Sequence, residues 1–292
     1  MKKRIFGIMA AAVLSMTACS SGNQKTETAV SSGDKAADVS GTEEKVSKEN
    51  KEAQKDGSET DKGTFTIGFD QDFPPMGFVG EDGEYTGFDV ELAEETAKCL
   101  GLTFVPQPIA WDAKNMELES GNIDCIWNGF TMTGREEDYT WSEPYMENSQ
   151  VVVVLKDSGI ESTADLAGKI VEVQADSSAE AALKEMPELT KTFKMLQTTP
   201  DYNTAFMDLE MGSVDAIAMD VIVAGYQIQQ RGEDFKILDD VLSTEEYAIG
   251  FKKGNTELRD EVQTVLKEMA EDGTMAEISE KWFSKDITTI GK

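Results

Sequence analysis

The chain has 292 residues, of which 56 are acidic, 27 are basic and none is histidine, so its formal net charge at pH 7 is −29. This length allows one large domain or two smaller ones, and a hydrophobic content of 39% is enough to form a core. The negative charge disfavours nucleic acid as a partner, and the absence of histidine excludes Ser-His-Asp and Cys-His nucleophile systems and histidine metal sites.

The N-terminal segment MKKRIFGIMAAAVLSMTAC predicts an export signal over residues 1–18. Three basic residues precede an apolar run from Ile5 to Leu14 that is too short to span a bilayer stably. The closing MTAC resembles the lipobox of bacterial lipoproteins, although methionine stands where leucine is usual, and Cys19 would then be the lipidated N-terminus of the mature protein. The alternatives are a plain secretory signal with an incidental cysteine and an uncleaved anchor.

The segment that follows predicts a flexible tether over residues 19–63. From residue 20 to residue 63 it contains no Leu, Ile, Phe, Tyr or Trp, so it cannot bury enough apolar surface to offset the entropy of ordering it. No later segment reaches transmembrane length. A lipid, a tether and a folded body predict a protein on the outer face of the bacterial cytoplasmic membrane. A Gram-positive cell surface is favoured, with the periplasm as the alternative.

The body begins with the strand TFTIGF and the helix GFDVELAEETAKCLG, whose apolar residues recur at helical spacing. The next predicted elements are the strand LTFVPQ, the helix WDAKNMELESG and the strand IDCIWNGFT. The alternation continues through KIVEVQ, SSAEAALKEM, FKMLQ, NTAFMDLEMG, VDAIAMD and VIVAGYQIQQRG, and the chain closes with a strand and two amphipathic helices. This pattern predicts an α/β protein with parallel sheets covered by helices, and ligands at the carboxyl ends of the strands or between two lobes.

The cysteines indicate no site of their own. Cys19, Cys99 and Cys125 lack CxxC spacing, so neither a zinc site nor a redox dithiol is indicated. Cys99 and Cys125 are expected to be small buried apolar residues, with a mutual disulfide as the alternative. We predict no metal site and no cofactor.

Seven motifs of the body, in order, resemble those of the polar amino-acid-binding proteins of ABC importers, solute-binding protein family 3. They are IGFDQDFPPMGF, GEYTGFDVELAEETAKCLG, GNIDCIWNGFTMTGRE, YTWSEPY, DLAGKIVEVQADSSAE, GSVDAIAMD and KGNTELRDEVQTVLKEMAEDGTMAEISEKWF. The resemblance covers about residues 64 to 283. It implies the type II periplasmic-binding fold: mixed, mainly parallel sheets flanked by helices, with two crossover hinge strands, of which NSQVVVV is the first. Lobe 1 would be residues 64–149 plus 247–292, and lobe 2 residues 150–246.

The resemblance also implies a site for the carboxylate of a free amino acid. Arg135 resembles the clamping arginine of the family, and a guanidinium holds a carboxylate through two parallel charge-assisted bonds. Gly129 and Thr131 resemble its companions in lobe 1. From lobe 2, Ser177 and Ser178 stand at a helix start, where free N–H groups favour an anion. The alternative for Arg135 is a solvated loop charge.

One departure from the family concerns the turn before Arg135. The family places two residues between a threonine and the arginine, whereas Gly134 alone separates Thr133 from Arg135. A glycine supplies the backbone freedom that such a shortened turn needs.

The ammonium of the amino acid needs acceptors. By resemblance, Asp220 is the aspartate that binds it, although an aspartate here also suits the N-cap of the following helix. Asp70, at the end of the first strand, is a second candidate. Gln174 stands at a strand end that contacts ligands in the family and helps to set specificity.

Aromatic residues are expected to form the walls of the pocket. Phe73 and Trp111 match positions that sandwich the ligand side chain, with core packing as the alternative for each. Trp127 and Met219 are expected to shape the rest of the pocket.

The resemblance implies a binding protein and not an enzyme, with no catalytic residue, that closes over a free amino acid and delivers it to an ABC permease. A polar or neutral amino acid, including glutamine or cystine, is favoured, and a monomer is expected. The alternatives are a dehydratase-like enzyme on the same fold and an amino-acid sensor that depends on a partner. The sequence leaves the particular amino acid open.

Overall fold

The computed structural model describes residues 63–232 and 234–292. The predicted signal peptide, the lipidation site Cys19 and the tether up to residue 62 lie outside the described residues. Within the described ranges, no helix combines the length and apolar character needed to cross a membrane.

The described residues form strands and helices that alternate over most of the chain. The strands are β1 (Thr64–Phe69), β2 (Asp72–Phe73), β3 (Gly77–Val79), β4 (Tyr85–Thr86), β5 (Thr103–Pro108), β6 (Cys125–Ile126), β7 (Thr140–Trp141), β8 (Met146–Leu155), β9 (Ile170–Gln174), β10 (Met195–Thr199), β11 (Ala216–Asp220), β12 (Phe235–Ile237), β13 (Ser243–Tyr247) and β14 (Gly250–Phe251). The α-helices are α1 (Phe88–Leu100), α2 (Lys114–Ser120), α3 (Ser178–Lys184), α4 (Pro187–Thr190), α5 (Tyr202–Glu210), α6 (Val221–Arg231), α7 (Thr256–Asp272) and α8 (Thr274–Phe283).

Sheet 1 has the strand order β5-β1-β6-β14-β7. β1 runs parallel to β5 and β6, whereas β14 runs antiparallel to β6 and β7. Helix α1 packs against α7 and α8, so the two C-terminal helices cover the same part of the molecule as the first helix. We call the segments that carry sheet 1 and these helices the sheet 1 part.

Sheet 2 has the order β10-β9-β11-β8-β12, and β13 pairs with the other end of β8. β9 is parallel to β10 and β11, and β8 is antiparallel to β11, β12 and β13. Residues 146–247 carry this sheet and form what we call the sheet 2 part. The chain thus enters the sheet 2 part through β8 and leaves it through β13, which lies beside β8. The lobe boundaries given by the sequence stay a prediction.

The core follows the apolar runs of the sequence. Phe65, Ile67 and Phe69 of β1 are fully buried, and four consecutive valines of β8 are buried on both faces of sheet 2. Continuous apolar runs are typical of strands that are covered on both sides. A separate cluster that contains Trp111 and Trp141 joins Phe130, in the segment after β6, to Ala248, which lies between β13 and β14.

Three local predictions differ from the structure. The predicted strand IDCIWNGFT pairs only at β6, because the chain leaves the sheet after Ile126 and Gly129 takes a positive φ of 54°. Residues 72–86, which carried no strand prediction, form the three-stranded antiparallel sheet β2-β3-β4. The burial predicted for Cys99 is wrong, since it lies on the exposed face of α1; Cys125 is buried, and both cysteines are free.

Candidate functional site

The candidate site lies where several strands end at their carboxyl edges, between the two parts. Asp70 follows β1, Gln174 ends β9 and Asp220 ends β11, while the segment after β6 enters from the sheet 1 part. Strand ends of parallel sheets are the usual place for a ligand in such folds. A small cavity at this position is lined by Phe73, Trp111, Asn128, Gly129, Gln174, Ser177, Ser178 and Asp220.

The structure brings to this place all ten residues that were predicted from the sequence to contact the ligand. Seven of them line the cavity. The other three are attached to it by hydrogen bonds: Asp70 bonds to Gln174, Arg135 bonds to Ser178, and Arg135 also bonds to the carbonyl of Thr131.

Arg135 is positioned by a tight turn and by an aromatic ring. Its backbone N–H donates to the carbonyl of Met132 at 2.8 Å, and Gly134 takes a positive φ of 81°, as the shortened turn requires. The guanidinium carbon lies 5.3 Å from the centroid of the Phe130 ring. Nη1 donates to neutral oxygens only, the Thr131 carbonyl at 3.2 Å and Ser178 Oγ at 3.1 Å. Among the described residues no carboxylate forms an ion pair with it, so its charge is available to an anion.

Ser177 and Ser178 form different hydrogen bonds. Ser177 is the N-cap of α3, and its Oγ accepts from the backbone N–H of Glu180 at 3.1 Å. Ser178, the first residue of α3, holds its hydroxyl against Arg135 from the opposite part. The hydroxyl of Ser177 is therefore used within the helix start, whereas that of Ser178 lies across the cleft.

Asp220 is a buried carboxylate with three side-chain donors. Oδ1 accepts from Asn148 Nδ2 at 2.7 Å, Gln150 Nε2 at 2.8 Å and the Tyr247 hydroxyl at 2.6 Å. It stands at the N-cap position of α6 but makes no side-chain capping bond. Burial, followed by the nearby Glu245 carboxylate, raises the pKa of Asp220 to about 7. The capping interpretation of Asp220 is therefore wrong, and its carboxylate belongs to the cavity and to β8.

Asp70 and Gln174 join the two parts across the cavity. Gln174 Nε2 donates to Asp70 Oδ2 at 2.6 Å and to the Pro200 carbonyl at 3.0 Å. The backbone N–H of Asp72 also donates to Asp70, at 2.9 Å. Burial raises the pKa of Asp70 to about 6, although both hydrogen bonds favour its ionised form.

The aromatic walls have unequal surroundings. Phe73 lies against Tyr202, with ring centroids 6.0 Å apart, and covers Gly129, where an added Cβ would lie 3.2 Å from the Phe73 ring. Trp111 meets Phe130 edge to face at 5.6 Å. Trp127 and Met219 are fully buried in the core and do not line the cavity, in contrast to the expectation from the sequence.

Gly129 and Thr131 are tied to carboxylates of the protein. The N–H of Gly129 donates to Asp89 Oδ2 at 2.5 Å, and the Thr131 hydroxyl donates to Glu245 Oε1 at 2.9 Å. Asp89 also accepts from the Tyr145 hydroxyl at 2.9 Å, so a buried carboxylate at the start of α1 fixes the segment after β6. These donors are engaged within the protein, and Gly129 still lines the cavity.

Sequence reasoning missed several residues of this region. Lys114 of α2 is buried and donates to the carboxylate and the carbonyl of Asp176 in the sheet 2 part. Asn203 of α5 donates to Asp72 at 2.9 Å. Asn128 lines the cavity, and its Nδ2 has no hydrogen-bond partner among the described residues. Asn148 and Gln150 of β8 were also missed, although the sequence carried a signal for them. They stand two residues apart in the strand MENSQVVVV, so their amides lie on the same face.

The described residues hold no group of three or more His, Cys, Asp or Glu side chains that is placed to bind a metal ion.

Two α/β parts joined by two adjacent crossing strands, with a polar cavity between them, define a ligand-binding protein of the type II periplasmic-binding fold. This agrees with the fold predicted from the sequence, except that the mixed sheets are not mainly parallel: of the nine strand pairings that the described residues form in sheets 1 and 2, four are parallel and five are antiparallel. Residues 65–285 match the family of bacterial extracellular solute-binding proteins, family 3. The chain belongs to this family.

Relatives with known ligands differ in what they bind. The L-cystine-binding protein TcyJ of Escherichia coli K12 is 33% identical over 231 residues, which are 78% of this chain and 85% of TcyJ. A substrate-binding protein of an ABC uptake transporter from Streptococcus pneumoniae, whose crystal structure contains bound histidine, is 38% identical in sequence to this chain. It has a TM-score of 0.75 and covers 77% of this chain and 94% of its own. The ancestral amino-acid-binding protein AncCDT-1, a precursor of cyclohexadienyl dehydratase, is 33% identical with a TM-score of 0.69, at 76% and 96% coverage.

Proposed function

We propose that this protein captures a free amino acid between its two parts and presents it to the permease of an ABC importer. The observation that carries the proposal is that the buried carboxylate of Asp220 lines a cavity with aromatic walls, while the guanidinium of Arg135, which has no carboxylate partner among the described residues, bonds to Ser178 of the same cavity. An amino acid offers the complementary pair of charges, and each charge needs a partner when it leaves water. Relatives that bind cystine and histidine support the proposal.

Each residue then has a role. Arg135 clamps the α-carboxylate, and Ser178, Ser177, Gly129 and Thr131 shape the anion pocket around it. Closing the two parts brings Ser178 of one part to Arg135 of the other, as their hydrogen bond at 3.1 Å illustrates.

The other end of the ligand meets the remaining residues. Asp220 accepts from the ammonium, and Phe73 and Trp111 enclose the aliphatic stem. Asp70 and Gln174, joined across the cavity, contact the side chain and select among amino acids. A ligand with a polar or neutral side chain suits this carboxylate and amide. The thermal-shift screen described below identifies the amino acid.

Closure accounts for the affinity that a small ligand needs. About ten heavy atoms yield at most about 1.5 kcal/mol each. Micromolar binding, about 8 kcal/mol, therefore uses much of the available interaction. A ligand held from both sides meets this requirement.

The cellular setting belongs to the same proposal. The signal peptide of residues 1–18 directs export, and lipid on Cys19 holds a monomer outside the cytoplasmic membrane, at a Gram-positive cell surface or otherwise in the periplasm. The lipobox resemblance supports this anchor. Labelling with a radioactive fatty acid in cells tests it, because Cys19→Ser then abolishes the label.

A thermal-shift screen of the twenty amino acids and cystine, followed by calorimetry, tests the capture of an amino acid. A ligand at 100 times its Kd stabilises the folded protein by about 2.7 kcal/mol. Arg135→Ala is expected to weaken binding by about 30-fold or more, because it leaves a carboxylate without its partner at a cost of about 2 kcal/mol or more.

The matched control is Lys191→Ala, which also removes one positive charge but from an exposed pair with Glu188. It is expected to bind as the wild type does. Equal affinities of wild type and Arg135→Ala would contradict the assignment of Arg135, and the absence of any shift across the screen would contradict amino-acid capture itself.

A dehydratase-like enzyme is the second candidate. It is favoured by the likeness to the precursor of cyclohexadienyl dehydratase and by Asp70, a buried carboxyl whose pKa of about 6 suits proton transfer near neutral pH. Turnover of a prephenate-like cyclic acid by the purified protein, lost in Asp70→Asn, would establish it.

A further inference from the structure

Four buried polar side chains meet where β8 lies between β11 and β13. Asn148 and Gln150 are two residues apart on β8 and therefore point to the same face. Gln150 is the register partner of Asp220 on β11, and Asn148 is the register partner of Glu245 on β13. All four side chains are at most 6% exposed.

Each of the two amides bridges both carboxylates. Asn148 Nδ2 lies 2.7 Å from Asp220 Oδ1 and 2.6 Å from Glu245 Oε1. Gln150 Nε2 lies 2.8 Å from each of the same two oxygens. An amide nitrogen carries two hydrogens, so both nitrogens use their full donor capacity on this carboxylate pair.

The orientation of the two side-chain amides costs free energy, because it leaves their oxygens without hydrogen bonds to the described part of the chain. Asn148 Oδ1 and Gln150 Oε1 are buried without a hydrogen-bond partner among the described residues. Leaving a buried acceptor unsatisfied costs about 1–3 kcal/mol. Both amides nevertheless turn their donors inward, and this arrangement is favourable only if the two facing groups are strong acceptors.

Among the described residues, no lysine or arginine forms an ion pair with either carboxylate. The titratable groups that face it are the phenols of Tyr247 on β13 and Tyr202 on α5, together with Arg135, which bonds to the Thr131 carbonyl and lines a second cavity with Glu245. Burial raises the pKa of both phenols well above the ordinary value, so they stay neutral. Two buried carboxylates that share donors cannot both ionise without a large cost.

We propose that Glu245 is a positioning residue of the ammonium site, which acts through Asp220: the two carboxylates share one proton in the free protein and exchange it for the ammonium of a captured amino acid. The displaced proton leaves to the solvent buffer, and the ammonium keeps its own. This inference rests on the proposed function. Side-chain donors reach Asp220 at Oδ1, so Oδ2 is the oxygen that these donors leave for the ammonium.

The exchange makes the ammonium a condition of tight binding. A ligand without this charge leaves the proton in place and gains nothing from the second carboxylate. Binding is then linked to pH: below the apparent pKa of the pair the ammonium competes with a proton, and above it the site is already free. Asp220, with a pKa of about 7, sets this boundary near neutral pH.

Calorimetry of the full-length protein in buffers with different ionisation enthalpies measures the proton directly. The probe is the amino acid that gives the largest shift in the screen of twenty amino acids and cystine. For the wild type we expect up to one proton released per ligand at pH 5.5 and a release near zero at pH 8. Affinity is expected to rise up to tenfold per pH unit between these limits.

Glu245→Gln keeps the size of the side chain and removes one charge. It is expected to bind about as well as the wild type at pH 5.5, to bind at least about tenfold more weakly at pH 8, and to release no proton, since about 1.4 kcal/mol corresponds to tenfold. Glu246→Gln, an exposed carboxylate one residue further along β13, is the matched control and is expected to keep the wild-type profile. A Glu245→Gln protein with the wild-type pH profile and proton count would overturn the proposal.

A second measurement needs neither a ligand nor a variant that folds. Carbon-13 NMR of the assigned carboxyl groups in the free wild-type protein is expected to show a glutamate carboxyl whose titration curve has a step in common with that of Asp220, which distinguishes it from the aspartates Asp70 and Asp89, whose pKa values are also raised. If no amino acid binds but this carboxyl is found, the proposed function fails and the shared proton stands. If an amino acid binds without proton release, and no such carboxyl titrates, the shared proton is refuted and the proposed function stands.

Discussion

Asp89 is a buried carboxylate that holds the ligand-facing segment without lining the cavity. Its Oδ2 accepts from the Gly129 N–H at 2.5 Å and from the Tyr145 hydroxyl at 2.9 Å. Asp89→Ala leaves both donors buried and unpaired, and we expect it to lower the free energy of unfolding by about 2–4 kcal/mol in a denaturant titration. Glu94→Ala, which removes an exposed carboxylate of the same helix, is expected to change it by less than about 0.5 kcal/mol.

The pH dependence of this cost follows from the sign of the pKa shift. Burial raises the pKa of Asp89 to about 7, so between about pH 4 and pH 7 the folded protein binds more protons than the unfolded chain. The contribution of Asp89 to the free energy of unfolding is therefore largest at low pH and is lost as the pH rises through 7. The difference between wild type and Asp89→Ala should be larger at pH 5 than at pH 8. A difference that grows with pH would show that the pKa is lowered instead.

The sequence was sufficient to predict those site residues that have distinctive chemistry and lie inside a motif. Arg135 and Asp220 were predicted through the family resemblance of their motifs, and in the structure Asp220 lines the small cavity while Arg135 bonds to Ser178 of the cavity wall. Glu245 was not predicted, because its partners depend on the register of β8 with two other strands. Lys114 was not predicted either, since its partner Asp176 lies in the other part.

At the scale of elements, the turn before Arg135 decides where the guanidinium points. Gly134 takes a φ of 81°, and an added Cβ would meet no atom within 4 Å. Gly134→Ala therefore adds backbone strain and no clash, and we expect it to destabilise the protein by about 1–2 kcal/mol. We also expect it to weaken amino-acid binding in calorimetry, because relief of the strain moves Arg135.

Gly83 gives the control for this turn. It has a φ of 85° in the hairpin between β3 and β4 and an equally open Cβ position. Gly83→Ala should carry the same strain and leave binding unchanged. If Gly134→Ala binds as tightly as Gly83→Ala, the shortened turn affects only the loop and not the aim of Arg135.

Most long elements were predictable because their periodicity extends over many residues. The pattern of α1 and the apolar strand β1 gave bounds within one residue of those observed. The strands β2, β3 and β4 have two or three residues each, which is too short for a period to show. The end of β6 was also missed, since the chain departs there through the positive φ of Gly129 and not at a proline or a turn motif.

At the scale of the whole molecule, the two parts touch across the cavity through several polar contacts. Gln174 reaches Asp70, Ser178 meets Arg135, and Lys114 bonds to Asp176. The structure is thus a closed arrangement, and the stability of that arrangement sets how much binding free energy remains for a ligand.

Lys114 tests how strongly these contacts hold the parts together. Its amine is buried, donates to the carbonyls of Trp111 at 3.2 Å and Asp176 at 3.1 Å, and pairs with the Asp176 carboxylate. Burial lowers the pKa of this amine, so the desolvation cost offsets part of the pairing. Lys114→Met keeps the aliphatic stem and removes the bonds, leaving Asp176 free to be solvated.

We expect Lys114→Met to favour the open form, so that small-angle X-ray scattering shows a larger radius of gyration without an amino acid and a return to the wild-type value at saturation. Affinity should fall on the order of tenfold, because a hydrogen bond to a charged group contributes about 1.5–3 kcal/mol before the desolvation cost is subtracted. Lys98→Met removes an exposed lysine of α1 and should change neither quantity. Unchanged scattering and affinity in Lys114→Met would mean that desolvation cancels the pairing, and that closure depends on the ligand and on the contacts of Arg135 and Gln174.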